Sequence, residues 1–143
     1  MDHVAIMKKS WHLIDKILAG EKTVESRWYK NKSMPRNQIK IGETIYFKDS
    51  GSPVTAKAIV KNIEQFENLN QEKIQEIFKK YPHEELGTIE IKQEIINYTK
   101  WKKYCIMVSL TKPELIKPFD IDKKWYWIMA SWIAVDNIKN LSK

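Results

Sequence analysis

The hydrophobic pattern of the chain changes period at Gly20, and this switch constrains the fold more than any other feature. Before it, Trp11, Ile14 and Leu18 recur at i, i+3 and i+7, with Leu13 and Ile17 beside them, as the apolar stripe of an amphipathic helix. Ser10 is the expected N-cap, and Gly20 suits the left-handed position just past the helix end. After it, Thr23–Tyr29 alternates. Thr23, Glu25, Arg27 and Tyr29 share one face of an extended segment, and Val24, Ser26 and Trp28 the other. A helix that hands over directly to a strand calls for a fold mixing the two.

The rest of the pattern supplies more strands. Val4–Met7 reads as a short strand ahead of the helix. A polar loop from Lys30 to Gln38, containing Pro35, leads through a Gly42-Glu43 turn into the strand Thr44–Lys48. Asp49–Pro53 is turn chemistry, and the long strand Val54–Phe66 is expected to pair back as a hairpin. Asn70 is placed to cap a second helix, with Ile74, Ile77, Phe78 and Tyr81 at i, i+3, i+4 and i+7 and Pro82 as its stop. From His83 to Trp101 only short apolar pieces stand among glutamates, and no element can be assigned.

Tyr104–Leu110 is a strand, and Leu115–Phe119 an edge strand because Pro118 cannot donate to a ladder. Trp125–Val135 is apolar and fits either strand or helix. With few βαβ units, the pattern predicts an α+β protein: a mixed, barrel-like sheet with two or more flanking helices.

No linker, repeat or low-complexity tract interrupts the chain, so one domain over residues 1–143 is expected. No stretch approaches a membrane span and the start lacks a signal-peptide apolar run, which points to a cytoplasmic protein with no membrane partner. The sole cysteine, Cys105, lies in an apolar strand and reads as core. His3, His12 and His83 are scattered, so no metal site is expected. The four glycines do not form a phosphate-cradling loop, and no cofactor is implied. The net charge of +7 makes anionic partners worth testing, and aromatics interleaved with lysine suit base stacking.

Against that background the run Gly20-Glu21-Lys22-Thr23-Val24-Glu25-Ser26-Arg27 stands out. Only two of the 25 Lys and Arg residues are arginine, Arg27 and Arg36. Arginine is the residue of choice where a planar fork of donors must hold a carboxylate, phosphate or base edge. Glu25 and Arg27, two apart on one strand face, can pair. The cluster then either braces the helix-to-strand corner or faces a ligand.

The order Gly-x-Lys-x-x-Glu-x-Arg, after a short strand and a helix, resembles the ASCH domain of the PUA-like superfamily. Gly20, Lys22, Glu25 and Arg27 match its motif at each position, and Gly42–Phe47 is similar to the family's glycine-acidic turn and strand. The likeness covers residues 3 to 66 well and the C-terminal strands loosely. It implies a PUA-like β-barrel with a motif-lined cleft beside the helix, and RNA or a nucleotide-like ligand as partner.

On that reading Lys22 and Arg27 contact phosphate, and Glu25 orients Arg27 or accepts from a base amino group. Trp11 or Trp28 offers a stacking surface, and Lys8, Lys9 and Lys48 widen the basic surface. Two alternatives stay open. One is a hydrolase acting on RNA or on a modified nucleoside, with Lys22 and Glu25 as catalytic residues. Small ASCH proteins that are N4-acetylcytidine amidohydrolases use a lysine, a threonine and a glutamate. Lys22 matches that lysine, but the threonine position falls on Glu25. Burial that lowered the pKa of Lys22 would favour catalysis, and a neighbouring Glu25 would oppose it. The other alternative is a partner-binding adaptor in which the motif is a brace.

Overall fold

The computed structural model describes residues 1–33, 35–122 and 131–143. Its six strands are β1 (Asp2–Met7), β2 (Val24–Tyr29), β3 (Thr44–Asp49), β4 (Val54–Phe66), β5 (Tyr104–Phe119) and β6 (Trp132–Val135). They form one sheet in the order β2-β5-β4-β3-β1-β6, curled into a half-barrel with flanking helices. The sheet is mixed, as expected: β1 runs parallel to β3, and the other neighbours are antiparallel.

The curl has a local cause. The long β4–β5 ribbon carries register shifts at Val54/Ala56, Lys57/Ile59 and Val60/Asn62, and each bulge adds bend and twist. Leu115–Phe119 is therefore the far end of β5 and not a separate strand. Its edge character holds in that β2 accompanies β5 only over Tyr104–Ser109. Of the Trp125–Val135 run, Trp132–Val135 is strand β6, and residues 125–130 lie outside the described residues.

Helix α1 (Leu13–Leu18) enters the concave side of the curl. Leu13, Ile14 and Ile17 pack there with Phe47, Ala56, Val60, Val108 and Trp132. One detail differs from the sequence pattern: Ser10 does not cap this helix. Lys9–Trp11 is a 3-10 turn, and His12, at φ 53°, takes the N-cap position. Trp11, at the end of the turn, still packs against this core but stays partly exposed. Gly20 does adopt the left-handed conformation, at φ 77°.

A second core covers the other face of β2 and β5. Val24, Trp28, Cys105 and Met107 meet Ile74 and Ile77 of α2 (Gln71–Lys80) and Leu86 of α3 (His83–Leu86). Asn70 caps α2 as its pattern predicts, accepting from the Lys73 N–H at 2.8 Å. The unassigned stretch holds α3, a 3-10 turn at Ile89–Ile91, and α4 (Lys92–Thr99). Among the described residues no helix is long and apolar enough to cross a membrane.

Candidate functional site

Strands β2 and β6 are the two edges of the half-barrel, and Arg27 reaches across the seam between them. Arg27, on β2, donates from Nη1 to the Ser131 carbonyl just ahead of β6 at 3.1 Å and from Nη2 to the Ile6 carbonyl of β1 at 3.3 Å. Nη2 also bonds Glu25 Oε2 at 3.1 Å, and the guanidinium lies over the Trp132 ring, 5.2 Å from its centroid. A lysine, with a point charge and no fork, cannot span these acceptors at once, which accounts for an arginine here.

Glu25 continues the chain of contacts inward. Its Oε1 meets Lys22 Nζ at 3.2 Å, and that ammonium also donates to the carbonyls of Val24 and Leu86, each at 2.7 Å. All three Lys22 donors are thus engaged, and the residue is 2 % exposed. Burial lowers the Lys22 pKa, and Glu25 beside it only partly offsets the loss of hydration. For Glu25 the balance falls the other way. Burial would raise its pKa, but Lys22 and Arg27 together hold it below the ordinary value. Two cations around one anion leave a unit of positive charge, and Arg27 is the member nearest solvent.

Above Arg27 opens a cleft of about 230 Å³, lined by Met7, Lys8, Trp11, Glu25, Arg27, Tyr29, Tyr98 and Ser131 among others. Lys8 and Trp11, both singled out from the sequence, form its rim, with Lys8 Nζ 4.8 Å from the Trp11 ring centroid. Burial pushes the Tyr29 hydroxyl pKa up to about 12, so this wall stays a neutral phenol.

The remaining expected site residues are placed differently. Trp28 borders the cleft, but its ring is buried and stacked on Phe78 at 5.3 Å, on the far face of β2. Lys9 points to the β3–β4 turn, donating to Ser52 at 3.4 Å, and Lys48 is buried in β3. Neither lines the cleft.

The sequence pattern gave no sign of three contributors. Tyr98 of α4 forms the wall opposite β2, edge-on to Trp11 with centroids 6.5 Å apart. Trp132 is fixed by donating to His3 Nδ1 at 3.0 Å, which puts the His3 ring proton on Nε2, facing Glu43 at 2.9 Å. Gly87, at φ 71°, lets the α3 end close over Lys22, where an added Cβ would lie 2.9 Å from Lys22 Cβ.

This architecture has solved counterparts. Over 99 % of both chains it superposes on a point mutant of the ASCH protein of Zymomonas mobilis with a TM-score of 0.69, at 16 % identity. The non-mutant ASCH protein of the same organism gives 0.68 at 16 % identity, covering 99 % of this chain and 96 % of its own. The chain has the ASCH fold. A hypothetical protein, PH0355, gives a TM-score of 0.52 at 21 % identity over 81 % of this chain and all of its own. Sequence comparison finds no matching family profile and no matching curated protein. The ASCH fold sets the charged run at the seam of its half-barrel, where Lys22 is enclosed and Arg27 meets the cleft.

Proposed function

We propose that the seam cleft binds a nucleotide unit of RNA, with Arg27 as the anion contact and Trp11 and Tyr98 flanking the base. The carrying observation is the position of Arg27, held by Glu25 beneath it, bearing the excess positive charge at the floor of an open, aromatic-walled cleft. The cleft volume is below the ~300–1,000 Å³ usual for drug-sized ligands, which suits one nucleotide unit better than a large cofactor. Glu25 then orients the guanidinium, and Lys8 extends the basic rim.

Anisotropy of a short labelled RNA, titrated across salt concentrations, tests this reading. Arg27→Ala is expected to weaken binding about tenfold or more and to reduce the salt slope by about 1. Lys61→Ala, at an exposed position on β4 away from the cleft, is expected to do much less. Arg27→Lys keeps the charge without the fork and should recover only part of the loss. Equal small effects from Arg27→Ala and Lys61→Ala would reduce the interaction to non-specific charge.

One observation favours a hydrolase instead: the lowered pKa of a buried lysine beside a carboxylate is a common signature of acid–base chemistry. Incubation with N4-acetylcytidine and with single-stranded RNA tests it. Turnover lost in Lys22→Met, in protein that remains folded, would support the hydrolase. No turnover, or turnover unchanged by that substitution, would remove it.

A further inference from the structure

The end of α4 and the turn that follows it leave two aromatic rings and their cations outside every core described above. Trp101 is 70 % exposed and Tyr98 50 % exposed, large values for rings of this size. Lys100 Nζ stands 5.4 Å from the Trp101 ring centroid, and Lys102 Nζ 4.4 Å from that of Tyr98. Lys30, at the end of β2, is near enough to Lys102 to act on its charge. Burial chiefly, and then Lys30, lower the Lys102 pKa. Residues 98 to 103 contain three lysines and no acid. The nearest acid on α4, Glu94, accepts from Trp11 Nε1 at 3.1 Å and faces the cleft rim.

The turn is also anchored. Its Lys100 carbonyl accepts from Gln71 Nε2 at 2.6 Å, and the Lys103 N–H donates to the Tyr29 carbonyl at 2.9 Å. It is therefore a fixed platform at the end of β2, joined to the cleft through Tyr98, which belongs to both.

We infer that this platform is a second subsite, which takes the next nucleotides of a single strand whose first unit occupies the Arg27 cleft. The inference rests on the proposed function of that cleft. Its own argument is the composition of the surface. Exposed rings beside ammonium groups that form no ion pair among the described residues match what a flexible polyanion with stacking faces offers, one base per ring and phosphates between the lysines. A duplex has its bases already stacked and cannot use Trp101. The ligand is thus a single-stranded polynucleotide and not a free nucleotide.

The test compares three probes on the full chain: a labelled single-stranded 12-mer of RNA, the DNA strand of the same sequence, and a nucleoside monophosphate. Trp101→Ala and the double substitution Lys100→Ala/Lys102→Ala are each expected to weaken both strands about tenfold and to leave the monophosphate unchanged. Arg27→Ala should weaken all three. A ribose-specific effect would show only in the RNA arm and still places that strand on the platform.

The outcomes separate the two readings. If Trp101→Ala leaves the 12-mer within twofold of wild type while Arg27→Ala weakens it, the platform is overturned and the cleft stands. If Trp101→Ala weakens the 12-mer and Arg27→Ala does not, the platform stands without the cleft. No binding of any of the three probes overturns both.

Discussion

The Lys22–Glu25–Arg27 cluster is sealed at one end and open at the other, although six consecutive residues supply both ends. At the sealed end Lys22 has each of its donors engaged, two of them on backbone carbonyls, and it does not line the cleft. At the open end Arg27 spans the two sheet edges and still reaches solvent, with side-chain exposure of 12 % against 1 % for Lys22. A motif of three charges need not have three equivalent roles. Here the inner cation fixes the carboxylate, the carboxylate fixes the guanidinium, and the guanidinium is the most exposed of the three.

The largest test of this division removes its middle. Glu25→Ala leaves two buried or half-buried cations facing each other without their anion. Breaking a buried ion pair by deleting one partner costs about 3–5 kcal/mol, a large share of the ~5–15 kcal/mol that holds a domain of this size. Urea unfolding should show the loss as a lower midpoint. Arg27→Ala removes a more exposed partner and is expected to cost clearly less in stability while affecting ligand binding more. If the two substitutions destabilise alike and neither changes binding, the cluster is a brace throughout and the adaptor alternative gains.

A second comparison sets Gly87 against Gly42. Both have positive φ, 71° and 90°, so an alanine at either is strained by about 1–2 kcal/mol. Nothing lies within 4 Å of the Cβ that Gly42→Ala would add, whereas that of Gly87→Ala would meet Lys22 Cβ at 2.9 Å. Gly87→Ala should therefore cost about 1–2 kcal/mol more than Gly42→Ala, because the Lys22 stem must shift and its bond to the Leu86 carbonyl with it. Equal losses in denaturant midpoint would mean that the seal over Lys22 gives way easily.

The difference between the ends also explains what the sequence made legible. Local pattern carried β1, β2, the β3–β4 hairpin and α2, since each buries one face at a regular period. The match of Gly20, Lys22, Glu25 and Arg27 to a known order drew attention to the run from which Glu25 and Arg27 border the candidate cleft. What escaped was the pair of short helices α3 and α4. Helix α4 buries only Ile95 and Thr99 of its eight residues, and α3 only Leu86 of four, so neither shows a helical period. Their role depends on contacts far along the chain, such as Lys22 to Leu86 across 64 positions and Trp11 to Glu94 across 83. No local signal encodes these. For the same reason a lysine that reads as a phosphate contact in sequence is enclosed in the fold, and Trp28 reads as a ligand platform yet faces Phe78.

The smallest expected effect is on the acid limb of stability, and it separates Glu25 from a carboxylate at the surface. Folding lowers the pKa of Glu25 from its ordinary 4.5, because the two neighbouring cations outweigh burial. Its contribution is thus fully present above pH 4.5 and fades as pH falls through the lowered folded value. Glu43 is lowered too: burial acts against it, and bonds from His3, the Lys40 N–H and the terminal ammonium prevail. Measured between pH 7 and 3, the urea midpoint of the wild-type chain should fall most steeply below about 4.5. Glu43→Gln should keep most of that slope, since Glu43 is only partly enclosed. Glu25→Gln should begin from a lower midpoint and fall less, having no carboxylate there to protonate. A slope as steep in Glu25→Gln as in the wild type would mean that folding does not hold this carboxylate in its charged form, and the sealed end would lose its distinction from the open one.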